Sequence, residues 1–201
     1  MPAIRSHSQF AQGFHAARDA ARPANDTDRE GEFHHPHWVR FHSLPRSKRY
    51  PESDAEDRTV IRRTLAVLAA LNVGQQRLWV VSNAWSWRRR TPAQLEPITR
   101  RALGDAQWVG THENVEPGNQ LVEWVSVFEP DDARLPDVIL AAAEDHNPAS
   151  FSPPDFAWLV RQYDGGCDIW VSSAAQRDEL AATFESWLSP EYLQTKELGR
   201  L

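Results

Sequence analysis

Two runs, F-A-W-L-V-R-Q-Y and C-D-I-W-V-S, flank a D-G-G at residues 164 to 166. Asp-Gly between alternating apolar runs is the strongest short-range signal for a β-hairpin. With Asp164 and Gly165 as a two-residue loop, Trp158 falls opposite Val171, Leu159 opposite Trp170, Val160 opposite Ile169 and Arg161 opposite Asp168. Every pair is then apolar or oppositely charged. A loop made of the two glycines would set Gln162 against Ile169 and Arg161 against Trp170, so the first register is preferred. Past the hairpin, Ser173 and Gln176 make a capping pattern for a final helix with Leu180, Phe184, Trp187 and Leu188 on one face, ended by Pro190.

Upstream, W-V-R-F-H at 38 to 42 alternates Trp38, Arg40 and His42 against Val39 and Phe41, the pattern of a strand. Ser53 with Glu56 is a capping box, which starts a helix near Asp54. Its apolar stripe runs through Val60, Ile61, Thr64, Leu65, Val67, Leu68 and Leu71, with Arg62 and Arg63 facing away, and it stops at Asn72 to Gly74. Leu78 to Val81 reads as a second, central strand, so strand, helix and strand suggest a parallel crossover. T-P-A-Q at 91 to 94 predicts a helix start running to about Leu103 with Pro97 inside it. Gln107 to His112 and Gln120 to Glu129 predict two strands in an antiparallel return, followed by a short helix over Leu135 to Glu144. The sum is an α/β fold: a single domain over residues 36–201 with a mixed β-sheet of about five or six strands, flanking helices, and a C-terminal hairpin plus helix. Residues 1–35 are polar and read as a mobile extension, with a short helix expected over Gln9 to Ala21.

Composition narrows the function classes. The 201 residues carry 22 basic and 28 acidic side chains, a net charge of −6, which argues against a general nucleic-acid coat or an anionic-membrane binder. The longest apolar run, Leu65 to Leu71, is far short of the roughly 20 residues that span a bilayer. The start M-P-A-I-R-S-H-S-Q has no apolar signal core, so a cytoplasmic protein is expected. The one cysteine, Cys167, can neither form an internal disulfide nor join a C-x-x-C zinc pair, and it would be a nucleophile only with a lowered pKa. Nine Trp mark either a well-packed core or an aromatic binding face.

The stretch R-F-H-S-L-P-R-S-K-R-Y-P-E, residues 40 to 52, concentrates Arg46, Lys48 and Arg49 just before a helix N-terminus. That arrangement suits an anion, with Arg40 and His42 on the same strand face and His42 as acid, base or phosphate donor. A Pro-braced loop whose cations are solvated is the plainer reading of the same residues, because charge runs usually lie on the surface. His34, His35 and His37 with His42 invite a metal, but Pro36 stiffens the segment and no carboxylate or cysteine completes a set, so neither metal nor cofactor is expected. Asp164 and Asp168 are conceivable paired carboxylates, although a hairpin tip and a cross-strand partner in Arg161 account for both. Ser43 beside His42 makes no hydrolase, since strand neighbours face apart and no G-x-S-x-G is present. The phosphate-loop, dinucleotide and H-E-x-x-H signatures are absent. Arg88 to Arg90 beside Trp85 and Trp87 pair cations with aromatics in a loop after a central strand.

R-F-H-S-L-P-R-S-K-R-Y-P-E, Y-D-G-G-C-D-I-W and the later W-L-S together resemble a widespread family of small bacterial proteins catalogued as a domain of unknown function. The resemblance spans about residues 38 to 190; Gln162 stands where the pattern has proline and Cys167 where it has alanine. It implies no activity, cofactor or substrate. It implies that residues 40 to 52 and 163 to 168 belong to one signature, meeting at one end of the sheet.

Two functions follow as expectations. The first is a non-catalytic interaction module, an immunity or regulatory partner being one form, whose contact residues are Arg40, His42, Arg46, Lys48, Arg49, Tyr50, Tyr163 and Asp164 and whose partner is a protein. The second is an enzyme or small-molecule binder that holds a phosphate or carboxylate on the 40 to 52 loop, with His42 as acid/base assisted by Asp164 or Asp168.

Overall fold

A computed structural model describes residues 11–13, 16, 36–71, 76–86, 94–113 and 120–198. Seven strands form one sheet: β1 (Trp38–His42), β2 (Leu78–Ser86), β3 (Gln107–Glu113), β4 (Gln120–Phe128), β5 (Ala149–Ser152), β6 (Leu159–Tyr163) and β7 (Gly166–Trp170). Their order is β1-β7-β6-β5-β2-β4-β3, and every pairing is antiparallel. The helices are α1 (Asp54–Ala70), α2 (Pro97–Leu103), α3 (Leu135–Ala143), α4 (Ala174–Thr183) and α5 (Pro190–Glu197).

The sheet is therefore antiparallel rather than mixed, and larger than the five or six strands expected. β1 and β2 run in the same direction, four antiparallel pairings apart, so the chain does cross over from one to the other through α1, but β7, β6 and β5 fill the space between them. The extra strand, β5, is four residues of A-S-F-S, too short and too polar to show a period.

Both prolines expected inside or after helices instead begin them. Pro97 opens α2 and Pro190 opens α5, each at a first-turn position where its missing N–H costs nothing. Residues 94–96 are not helical, and the T-P-A of the expected start lies outside the described residues. The final apolar stripe is likewise divided: α4 ends at Thr183, a 3-10 turn spans Glu185–Trp187, and Leu188 bridges to Phe41. The Asn72 to Gly74 stop lies outside the described residues, and α1 closes on Leu71. Of the expected helix from Gln9 to Ala21, Ala11–Gly13 and Ala16 are described, and they are helical.

Strand alternation sorts side chains onto two faces. One face brings Val39, Phe41, Val80, Phe151, Val160 and Ile169 against Val60, Val67 and Leu68 of α1 and Val138, Ile139 and Ala142 of α3, which is the main core. The opposite face carries a second cluster of Val81, Val109 and Val125 under a fully buried Ala11, with Trp79 and Phe156 packed on it. Seven tryptophans serve packing, Trp79 among them in the second cluster. Trp38 and Trp158 are buried, Trp108, Trp124, Trp170 and Trp187 lie against the main core, and Trp38 meets Tyr192 of α5 edge to face at 5.9 Å. Trp87 and Arg88 to Arg90 lie outside the described residues.

Candidate functional site

The hairpin of β6 and β7 sets Leu159 opposite Trp170, Val160 opposite Ile169 and Arg161 opposite Asp168, turning on Asp164 and Gly165. Gly165 has φ 86, the left-handed conformation glycine adopts freely. β7 then pairs β1 with Arg40 opposite Asp168 and His42 opposite Gly166. The two halves of the signature thus become adjacent strands. Beyond β1, Ser43 N donates to Gly165 O at 3.0 Å, Arg49 pairs with Asp164, and the Arg49 stem lies over Gly165.

Asp168 is the centre of this arrangement. It is buried, and Arg40 holds it in a fork, Nε to Oδ1 at 2.6 Å and Nη2 to Oδ2 at 2.9 Å. Trp38 Nε1 also donates to Oδ1 at 3.0 Å. Arg161, the expected cross-strand partner of Asp168, takes no part. The long-range Arg40 fork outcompetes it because a bidentate guanidinium–carboxylate pair is the stronger contact. The Arg40 guanidinium also lies 5.3 Å from the Trp38 ring centre and 5.7 Å from that of Tyr163.

The cations of the loop are largely committed. Lys48 Nζ donates to Glu52 at 3.0 Å and to Glu56 at 2.7 Å, and Glu56 also accepts from the Glu52 N–H. The Glu56 carboxyl is accordingly held below its ordinary value, first by Lys48 and then by that backbone donor. Ser53 caps α1 as the capping box requires, while the Glu56 carboxylate turns to Lys48 and the Glu52 N–H. The exposed Arg49 guanidinium stands 5.3 Å from the ring centre of Tyr50. Arg46 has no hydrogen bond or ion pair among the described residues. It and Ser47 are left-handed, with φ 58 and φ 56, a conformation that is uncommon for side chains of this kind. His42 Nε2 lies 3.1 Å from Ser47 Oγ.

Four residues that sequence reasoning missed join the signature to the core. Gln162, fully buried, donates to Ser43 Oγ at 3.0 Å and to Tyr163 O at 2.9 Å and accepts from Thr64 Oγ1 at 2.9 Å. Arg63, expected to face away, turns inward: Nη1 donates to His42 O at 2.8 Å and the guanidinium covers the Trp187 ring at 5.0 Å. Trp38 completes the set. Apart from the bond between Gln162 and Tyr163, none of these contacts leaves a local trace, because each joins residues at least 21 positions apart.

Asp164 and Asp168 are each paired with an arginine, Asp164 with Arg49 and Asp168 with Arg40. Among the described residues no group of three His, Cys, Asp or Glu side chains is placed to hold a metal; His34 and His35 lie outside them. No helix of the described residues is long and apolar enough to cross a membrane. Burial, and then the Asp168 charge, raise the Tyr163 phenol far above its ordinary range and push the Cys167 thiol up to about 12. Cys167 is therefore expected to ignore a disulfide reagent at pH 8 in the native protein and to react fully in denaturant. Because the folded thiol holds its proton more tightly, its stabilising contribution is intact below pH 9 and is lost as pH rises towards 12. Denaturant melts across that window are expected to show stability falling as pH rises.

No curated protein and no solved structure matches the chain. The profile described as Domain of unknown function (DUF3885) matches residues 30–191, a span that holds both signature stretches, and the chain belongs to that family.

Proposed function

We propose that the protein is an interaction module without catalytic activity, working in the cytoplasm, which engages a protein partner through the loop that joins β1 to α1. The observation that carries this reading is the internal pairing of the signature charges: Arg40 with Asp168, Arg49 with Asp164, and Lys48 with Glu52 and Glu56. Groups paired this way brace a surface instead of converging on a substrate. What they hold outward is Arg49 stacked with Tyr50, 39 % exposed, and these residue types dominate binding hot spots. A braced loop loses little freedom on binding, which favours affinity. The net charge of −6 would speed encounter with a basic partner.

The test is co-purification from the native host with tagged wild-type protein and with an Arg49→Ala, Tyr50→Ala variant shown to be folded. The reading expects one stoichiometric protein with the wild type and its loss with the variant. Equal recovery by both would move the interface elsewhere.

A specific observation favours the second reading. His42 and Ser47 are in hydrogen-bond contact, Ser47 and Arg46 are held in a sparsely populated backbone region of the sort that clusters at functional sites, and a 430 Å³ groove beside them is lined by Leu44, Pro45, Arg46, Ala55 and Glu56. In that case a phosphate or carboxylate would rest on Arg46 with His42 as acid/base. Native mass spectrometry that finds a small anion in the wild type and none in a His42→Gln variant would establish it.

A further inference from the structure

On the face of the sheet that carries Val81 and the second cluster, one register row crosses all seven strands: Arg40, Asp168, Arg161, Ser150, Val81, Val125 and Gln107. Its Val81 and Val125 end is covered by Ala11. The other end is polar, and its groups are not all satisfied by the described residues. Arg40 uses both oxygens of Asp168, and Trp38 takes a third contact there. Arg161 is left half-buried between Asp168 and Ser150 with no hydrogen bond or ion pair among the described residues, and the Ser150 hydroxyl has none either. Two residues along β5 on the same face, Ser152 is 1 % exposed and its Oγ has no hydrogen-bond partner among the described residues.

We propose that Arg161 and Ser150 form an oxyanion site on this face, taking a carboxylate or phosphate group on the guanidinium fork with the Ser150 hydroxyl as the additional donor. Residues directly opposite on neighbouring strands have Cβ atoms about 5 Å apart, so both side chains reach one bound oxyanion. Half-burial already strips part of the water from Arg161, and a guanidinium presents parallel donors matched to two oxygens of one anion. Among the described residues Arg40 takes both oxygens of the one carboxylate in this part of the row, which leaves the Arg161 charge for the ligand to neutralise. The site lies on the sheet, apart from the Arg49 and Tyr50 surface, and stands without the reading given above.

The test is a titration of the whole protein with sodium acetate and, separately, with inorganic phosphate, following the arginine Nε–H resonances, with sodium chloride at matched ionic strength as the control. A saturable shift of the Arg161 signal by acetate or phosphate but not by chloride is expected. The tighter of the two anions identifies a carboxylate or a phosphorylated group as the natural ligand. Arg161→Lys, which keeps the charge and loses the fork, is expected to weaken binding about tenfold, and Ser150→Ala about threefold. An Arg161 signal that moves no further than in chloride overturns the site. So does binding of undiminished strength in folded Arg161→Lys.

Discussion

Replacing Asp168 with alanine is expected to cost about 3–5 kcal/mol of stability, the range for removing one partner of a buried ion pair. The loss is large because one carboxylate serves two donors at once. The Arg40 guanidinium, with its side chain 20 % exposed, would keep its charge and lose the Asp168 fork, and the indole N–H of the buried Trp38 would lose Asp168 Oδ1 as an acceptor. Urea melts of Asp168→Ala, Asp168→Asn and the double variant Arg40→Met, Asp168→Leu separate the contributions. The asparagine retains an acceptor for Trp38 and is expected to fall between alanine and wild type. The double variant removes both charges and is expected to recover most of the loss, since an apolar pair of similar volume does not strand a charge. A double variant as unstable as Asp168→Ala would show that the carboxylate matters through something other than Arg40.

Gly166→Ala is the second large effect, about 3 kcal/mol or more. A Cβ at Gly166 would meet the Phe41 carbonyl oxygen at 2.5 Å. That oxygen belongs to a strand held on both sides: β7 on one, and on the other the Leu188 bridge and the Ser189 N–H on Arg40 O at 3.0 Å. Backbone so confined cannot retreat cheaply, and overpacking of this kind costs 1–3 kcal/mol or more. Gly165→Ala is the matched control. It carries a left-handed backbone but meets only the Arg49 side chain and backbone at 3.5 Å or beyond, so about 1 kcal/mol is expected from conformation alone. Hydrogen exchange at the Val39 and Phe41 amides should accelerate in Gly166→Ala far more than in Gly165→Ala. Equal effects would place the strain in the turn and not in the contact between strands.

These two residues also show where sequence reasoning reached and where it stopped. The facing of Arg161 and Asp168 was legible, because a two-residue turn and an alternating pattern leave one sensible register. The identity of the ion pair was not. Arg40 is 128 positions from Asp168, and no local rule ranks it above the residue directly across the hairpin. The α1 cap was legible from Ser53 and Glu56, whereas the turn of the Glu56 carboxylate to Lys48 required the loop to fold back. The two prolines misled for one reason: a proline marks a helix boundary without saying which side the helix lies on, and only the chain that follows decides. The antiparallel order of the sheet was illegible because it depends on β7 being inserted beside β1, a decision taken by the far end of the chain.

That insertion has a consequence for how the chain is made. β1 leaves the ribosome before its partner β7, which follows 128 residues later. At synthesis rates of 5–20 residues per second the delay is about 6–25 s. During that interval Trp38, Val39 and Phe41 have neither the strand nor the C-terminal segment that will bury them, and β6 and β7 must close before β1 can dock. The nascent protein therefore carries an unpaired apolar strand until β7 has been translated, and its yield in a cell should depend on whatever shields that strand while it waits.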